Sequence, residues 1–221
     1  MVEVLENEEI DRARSDEAIY ALGALGVRLA LDDLGAGYNS LTRLAALPID
    51  TVKIDQGLLR GLRGDPVKTV RLLATLLRLG QQFALRTVVE GLETDDHVEA
   101  AQLLGAQFGQ GYALARPMPA ADFPAWMRAR AAPRPAADGA LRSWLGALTH
   151  QWVAARDPLR LHEPGALESC ALTRFLRERG IDDARVLGWH ARVHLAAPSP
   201  QRDDAAEALL QWLARRVAAP D

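Results

Sequence analysis

Residues 27–55 read VRLALDDLGAGYNSLTRLAALPIDTVKID. Two short runs rich in apolar and β-branched residues, VRLAL at 27–31 and TVKI at 51–54, flank a Gly-containing turn and a short helical stretch at 41–46. A strand, a helix and a second strand in so short a span require parallel pairing through a right-handed crossover. The alternation extends in both directions. Residues 2–5 form a short strand before a helix at 16–25 that Gly26 ends. Downstream, 66–79 is helical and stops at Gly80, 83–89 is a strand, 95–104 a helix and 107–112 a short strand. Strands alternating with helices specify an α/β fold built on a parallel sheet.

Charged residues recur where the apolar runs end. Glu3 and Glu6 flank the first strand, Asp32 and Asp33 end the second, Lys53 and Asp55 close the third, and Glu90 closes the fourth. A lone acid after a strand usually caps the helix that follows. Acids at successive strand ends of a parallel barrel gather on one face, where active sites lie. All-oxygen ligands of this kind suit Mg²⁺ or Mn²⁺. Gly35-Ala36-Gly37, directly after the paired aspartates, would let backbone approach a ligand or metal. Lys53 lies between Val52 and Ile54, so it is either an ion-pair partner of these acids or a cation facing a phosphate.

With 221 residues, the chain can form one large or two modest domains. A formal net charge of −3 gives no field that would draw in nucleic acid or an anionic membrane. No stretch approaches 18 uninterrupted apolar residues, and the acidic start lacks the features of a signal peptide. The single cysteine, Cys170, excludes an internal disulfide and suits a reducing cytoplasm. The expectation is a soluble cytoplasmic protein with no membrane segment and no nucleic-acid partner.

After the Pro/Ala-rich stretch AAPRPAADG at 131–139 the β signal disappears. The expected organisation is a barrel-type part at 1–130, a linker at 131–139 and a helical domain at 140–221, with helices at 140–156, 166–179, 182–196 and 200–217. Four of the five histidines lie between 150 and 194, with the cysteine among them. His190 and His194, four apart, share one helix face. With His150 and Cys170 on neighbouring helices they make a sensible tetrahedral Zn²⁺ set. The competing reading is four ordinary packing residues. His162 is expected in a loop and His97 on a solvent-facing helix surface. Trp144, Trp152, Trp189 and Trp212, taken as one per helix, read as core packing of a small bundle.

EVLE at 3–6, DDLGAGYNSL at 32–41, PIDTVKID at 48–55, VVEGLET at 88–94 and GQGYALARPMP at 109–119 form a set of motifs in fixed order and spacing. Together they resemble those of the EAL-domain phosphodiesterases that hydrolyse cyclic di-GMP. The resemblance implies the C-terminal part of a TIM-like (β/α)₈ EAL barrel, followed here by a small all-α helical bundle. It implies a two-metal hydrolase converting cyclic di-GMP to linear pGpG. Glu3 and Asp32 would ligate metal, with Asp32 bridging and Asp33 serving the second ion. Glu6 would brace the following loop. Lys53 would orient the attacking water, with Asp55 beside it. Glu90 would serve the second metal or proton transfer, and Gln110 the water network. The family's Glu-Ala-Leu motif and its Asn-bearing strand are absent, so the chain by itself is expected not to hydrolyse its substrate. Expected partners are the missing N-terminal half-barrel or upstream signalling domains, and a second EAL domain in a homodimer. The alternative is an inactive EAL module that binds cyclic di-GMP or a protein. Residues 170–175, CALTRF, with LTHQW at 148–152 and HARVH at 190–194, resemble the chemoreceptor zinc-binding domain, except that Thr173 stands where glycine is usual.

Overall fold

The computed structural model describes residues 1–4, 12–34, 40–130, 139–156, 165–195 and 198–219. They divide into two compact units, Met1–Leu114 and Ala115–Asp221.

In the first unit five parallel strands run in sequence order: β1 (Val2–Val4), β2 (Leu29–Leu34), β3 (Thr51–Ile54), β4 (Arg86–Val89) and β5 (Phe108–Gly109). Between them lie α1 (Arg12–Ala24), α2 (Ser40–Ala46), the short α3 (Gly57–Arg60) continued by a 3₁₀ turn at Gly61–Arg63, α4 (Pro66–Gln82) and α5 (Asp95–Leu103). Leu29, Leu31, Val52, Ile54 and Val89 are fully buried, as strands covered on both faces require. Local signals set most boundaries. Gly26 adopts φ 76° and closes α1, with Val27 N–H donating to the Leu22 carbonyl. The Asp65 carboxylate accepts from Lys68 N–H, and Pro66 occupies the first turn of α4.

Several boundaries differ from expectation: α1 begins at Arg12 rather than 16, β2 at Leu29 rather than 27, and β5 is only Phe108–Gly109. Helix α4 does not stop at Gly80 but runs to Gln82, and Gly80 has a packing role instead, since a Cβ there would collide with Thr87 Oγ1 of β4. The glycine permits close helix–strand approach, and the helix ends only at Phe83 and Ala84 (φ 55°). Strand β4 therefore begins at Arg86 rather than 83. Strand β2 continues through Asp32 and Asp33 to Leu34, with its register to β3 shifting between Leu31 and Leu34 and Asp33 at φ 61°. Helix α3, which the sequence reading leaves as loop, follows β3 directly.

The second unit contains α6 (Phe123–Arg130), α7 (Trp144–Ala154), α8 (Ala166–Ser169), α9 (Ala171–Glu178), α10 (Ala184–Leu195) and α11 (Pro200–Ala218). Helix α6, where Phe123 stacks on Trp126, was not anticipated. The helix expected over 166–179 is two helices. Cys170, at φ −61° and ψ 134°, breaks them and stands as the residue before α9. Ser143 and Ser199 cap α7 and α11 by accepting from Gly146 and Arg202 N–H. Leu148, Leu172, Phe175, Leu176, Leu209 and Leu213 form the buried interior. Trp144 meets Phe175 and Trp212 edge-on, and the Arg216 guanidinium covers Trp212. Trp144 and Trp152 both lie on α7, and α9 has no tryptophan, so the expected spread of one per helix does not hold. Among the described residues no helix is long and apolar enough to cross a membrane.

Candidate functional site

The side chain of Lys53 rises from the end of β3 and is only 10% exposed. Its ammonium lies 2.7 Å from Glu90, 3.1 Å from Asp32 and 3.2 Å from Glu3, which come respectively from the residue after β4, from β2 and from β1. Parallel pairing explains the convergence. Glu3 is in register with Ala30, Ala30 with Thr51, and Lys53 with Val88, so successive strand ends reach the same level. Burial disfavours the ammonium. Hydrogen bonds to Glu90 and Asp32, the Glu90 charge and the contact with Glu3 outweigh that cost, holding its pKa above the ordinary lysine value.

The irregularity in β2 shapes the site. In a regular strand adjacent side chains point to opposite faces. With Asp33 in the left-handed region, Asp32 and Asp33 instead join Glu90 in a group whose carboxylate oxygens lie within 4.8 Å of one another. Among the described residues, Glu3, Asp32, Asp33 and Glu90 gather more carboxylates than Lys53 alone balances. Oxygen donors with such an excess fit a hard divalent cation.

Gln110 and Glu90 line one open cavity with Gly91 and Gly111, and Gln56, Glu93 and Tyr112 complete its lining. Sequence reasoning did not single out those three. Gln56 directly follows Asp55, and Glu93 sits within VVEGLET, which is the signal that could have found them. Asp55 faces a different task, since its Oδ1 accepts from Gly57 N–H at 2.8 Å and fastens the turn into α3. Glu6 and residues 35–39 lie outside the described residues.

A second cluster lies in the helical unit. Cys170 Sγ is 3.6 Å from His150 Nε2. Cys170, His190 and His194 each offer a donor atom, and these atoms lie within 4.8 Å of one another. One sequence pair, one break between helices and one residue of α7 thus meet in a buried setting. Burial, then the neighbouring His194 and His150, push the His190 pKa down to about 3. Burial, reinforced by His194, also lowers that of His150. Neutral imidazoles beside a thiol are a chemically sound Zn²⁺ donor set. His162 lies outside the described residues. His97 is not solvent-facing as expected: it is half-buried on α5, with Nδ1 enclosed.

A parallel α/β unit that gathers carboxylates and one lysine at its strand ends defines a class of oxygen-ligand, charge-handling sites. The EAL domain family model matches residues 1–117, and the chain belongs to the EAL domain family. It is 39% identical over 104 residues to the cyclic di-GMP phosphodiesterase PA2567 of Pseudomonas aeruginosa, covering 47% of this chain and 18% of that protein. It is 36% identical over 111 residues to the cyclic di-GMP phosphodiesterase RocR of the same organism, covering 50% and 28%. The chain thus spans less than a third of the length of these relatives. Among solved structures it is similar to the EAL domain of Mycobacterium smegmatis DcpA, at 27% identity and TM-score 0.53 over 59% of each chain. It is also similar to the cAMP-bound EAL enzyme Bd1971, at 28% identity and TM-score 0.52 over 57% of this chain and 33% of the other.

Proposed function

We propose that the first unit supplies the metal-binding and charge-stabilising half of a cyclic di-GMP phosphodiesterase site that yields linear pGpG. The observation that carries this reading is the bridging of Glu3, Asp32 and Glu90 by Lys53. Glu3, Asp32, Asp33 and Glu90 would hold Mg²⁺ or Mn²⁺. Such ions, when bound, polarise the phosphodiester and lower the pKa of water. Lys53 keeps its charge at every physiological pH and stabilises the negative charge that builds on the phosphate during attack. Glu90 would serve the second metal or take the proton of the attacking water, and Gln110, which lines the same cavity, would hold the water network. Asp55 contributes by keeping the β3–α3 turn in place.

In a full EAL barrel containing this chain, cyclic di-GMP should be converted to pGpG with Mg²⁺ or Mn²⁺ present. Asp32→Asn should lower turnover by roughly 10²–10⁴-fold, the scale for removing one electrostatic catalytic group. Wild-type turnover in that variant would remove the assignment.

The helical part at 140–221 is read as a zinc-binding domain that adjusts the barrel. His150, Cys170, His190 and His194 would be its ligands, and the support is their convergence, with the His150 and His190 imidazoles held neutral by burial. A reducing cytoplasm would keep the Cys170 thiol available. The full chain should carry about one Zn²⁺. Cys170→Ala should strip it, while His162→Ala should leave metal content unchanged. Metal analysis of the purified variants decides this.

A further inference from the structure

Thr173, the residue that replaces the glycine of the resembling motif, joins two elements of the helical unit. Its Oγ1 donates to the Leu167 carbonyl at 2.6 Å and lies 2.9 Å from Nε2 of His190. A hydroxyl has one proton, and a carbonyl can only accept. The Thr173 proton is therefore committed to Leu167, and Oγ1 meets His190 through a lone pair. Nε2 must carry the hydrogen in this contact. In a neutral imidazole the lone pair then resides on Nδ1.

His190 is 2% exposed, and its Nδ1 is enclosed with no hydrogen-bond partner among the described residues. A buried acceptor left unmatched is costly, and few native ones lack a reason. Here the reason is at hand, because His190 belongs to the group whose donor atoms crowd within 4.8 Å together with Cys170 and His194. Resting on the zinc reading above, we propose that Thr173 is a positioning residue. It fixes His190 as the Nε2–H tautomer and presents Nδ1, rather than Nε2, to the metal. The relay runs from Nε2–H to the Thr173 hydroxyl and on to the Leu167 carbonyl. Most metal-bound histidines donate their second N–H to an acceptor that sets ring orientation and ligand basicity. This chain would use a hydroxyl on α9 for that purpose, at a position where glycine could offer none.

The test uses the full chain and zinc alone, in competition with a chromophoric chelator. Thr173→Val keeps the branched shape but removes the acceptor, and should weaken zinc binding by about 10–100-fold. Thr173→Ser, which restores the hydroxyl, should bind close to wild type and controls for packing. ¹⁵N–¹H long-range correlation of the metal-free chain near neutral pH should show His190 as the Nε2–H tautomer, and as a mixture in Thr173→Val. Unchanged affinity in Thr173→Val while Cys170→Ala loses zinc would overturn the proposal and leave the zinc reading standing. An Nδ1–H tautomer in the wild type would overturn the proposal whatever zinc does. A wild type that binds no zinc would remove the reading and the proposal together.

Discussion

At the ends of β1–β4 the charges are retained, whereas in the helical unit they are suppressed. Lys53 is buried yet held protonated, since three carboxylates stabilise its charge by more than burial costs. His190 is buried too, but the imidazoles of His194 and His150 beside it disfavour a charge, and it stays neutral far into acid. Burial is thus common to both sites, and the sign of the neighbours decides the outcome. The same difference sorts the metals each could hold. Excess negative oxygen suits Mg²⁺ or Mn²⁺, while neutral nitrogen with a thiol suits Zn²⁺.

The largest test of this contrast is Lys53→Met. Removing the cation leaves Glu3, Asp32 and Glu90 facing one another and should cost about 3–5 kcal/mol in urea unfolding. Millimolar Mg²⁺ should recover part of the loss and Zn²⁺ bound elsewhere should not. An unfolding midpoint equal to wild type would show that the acids are not coupled through the lysine.

Acid should act on the helical unit next. Unfolded His190 takes a proton at its ordinary value of 6.5, and the folded residue only at about 3. The unfolded state therefore binds more protons between those values, and stability falls as the pH drops. Between pH 6.5 and 5 the metal-free chain should lose roughly 1.5–2 kcal/mol from this residue. A His190→Leu variant with the same slope would break the comparison.

Gly80→Ala sharpens a structural point. Helix propensity alone predicts a gain of about 1 kcal/mol. The collision with Thr87 should turn this into a loss of about 1–3 kcal/mol by denaturant titration. Smallest is Ser143→Ala, which removes the α7 cap and should cost about 1 kcal/mol.

What the sequence determined by itself was local: strand–helix alternation through β5, the helix starts at Pro66 and Pro200, and acids at the strand ends. Each depends on residues within a few positions of one another, so periodicity and capping chemistry reveal it. The tertiary structure decided the rest. Paired aspartates in a strand should diverge, and the register shift against β3 is what lets Asp32 and Asp33 act together. Whether Lys53 pairs with acids or stands free depends on three other segments of chain. Gly80 looks like a helix stop until Thr87 is placed against it. Thr173 looks like a flaw in a motif until His190 arrives, 17 positions later, to share its hydroxyl. These outcomes turn on contacts between distant residues, made at distances of a few ångströms that no local pattern encodes.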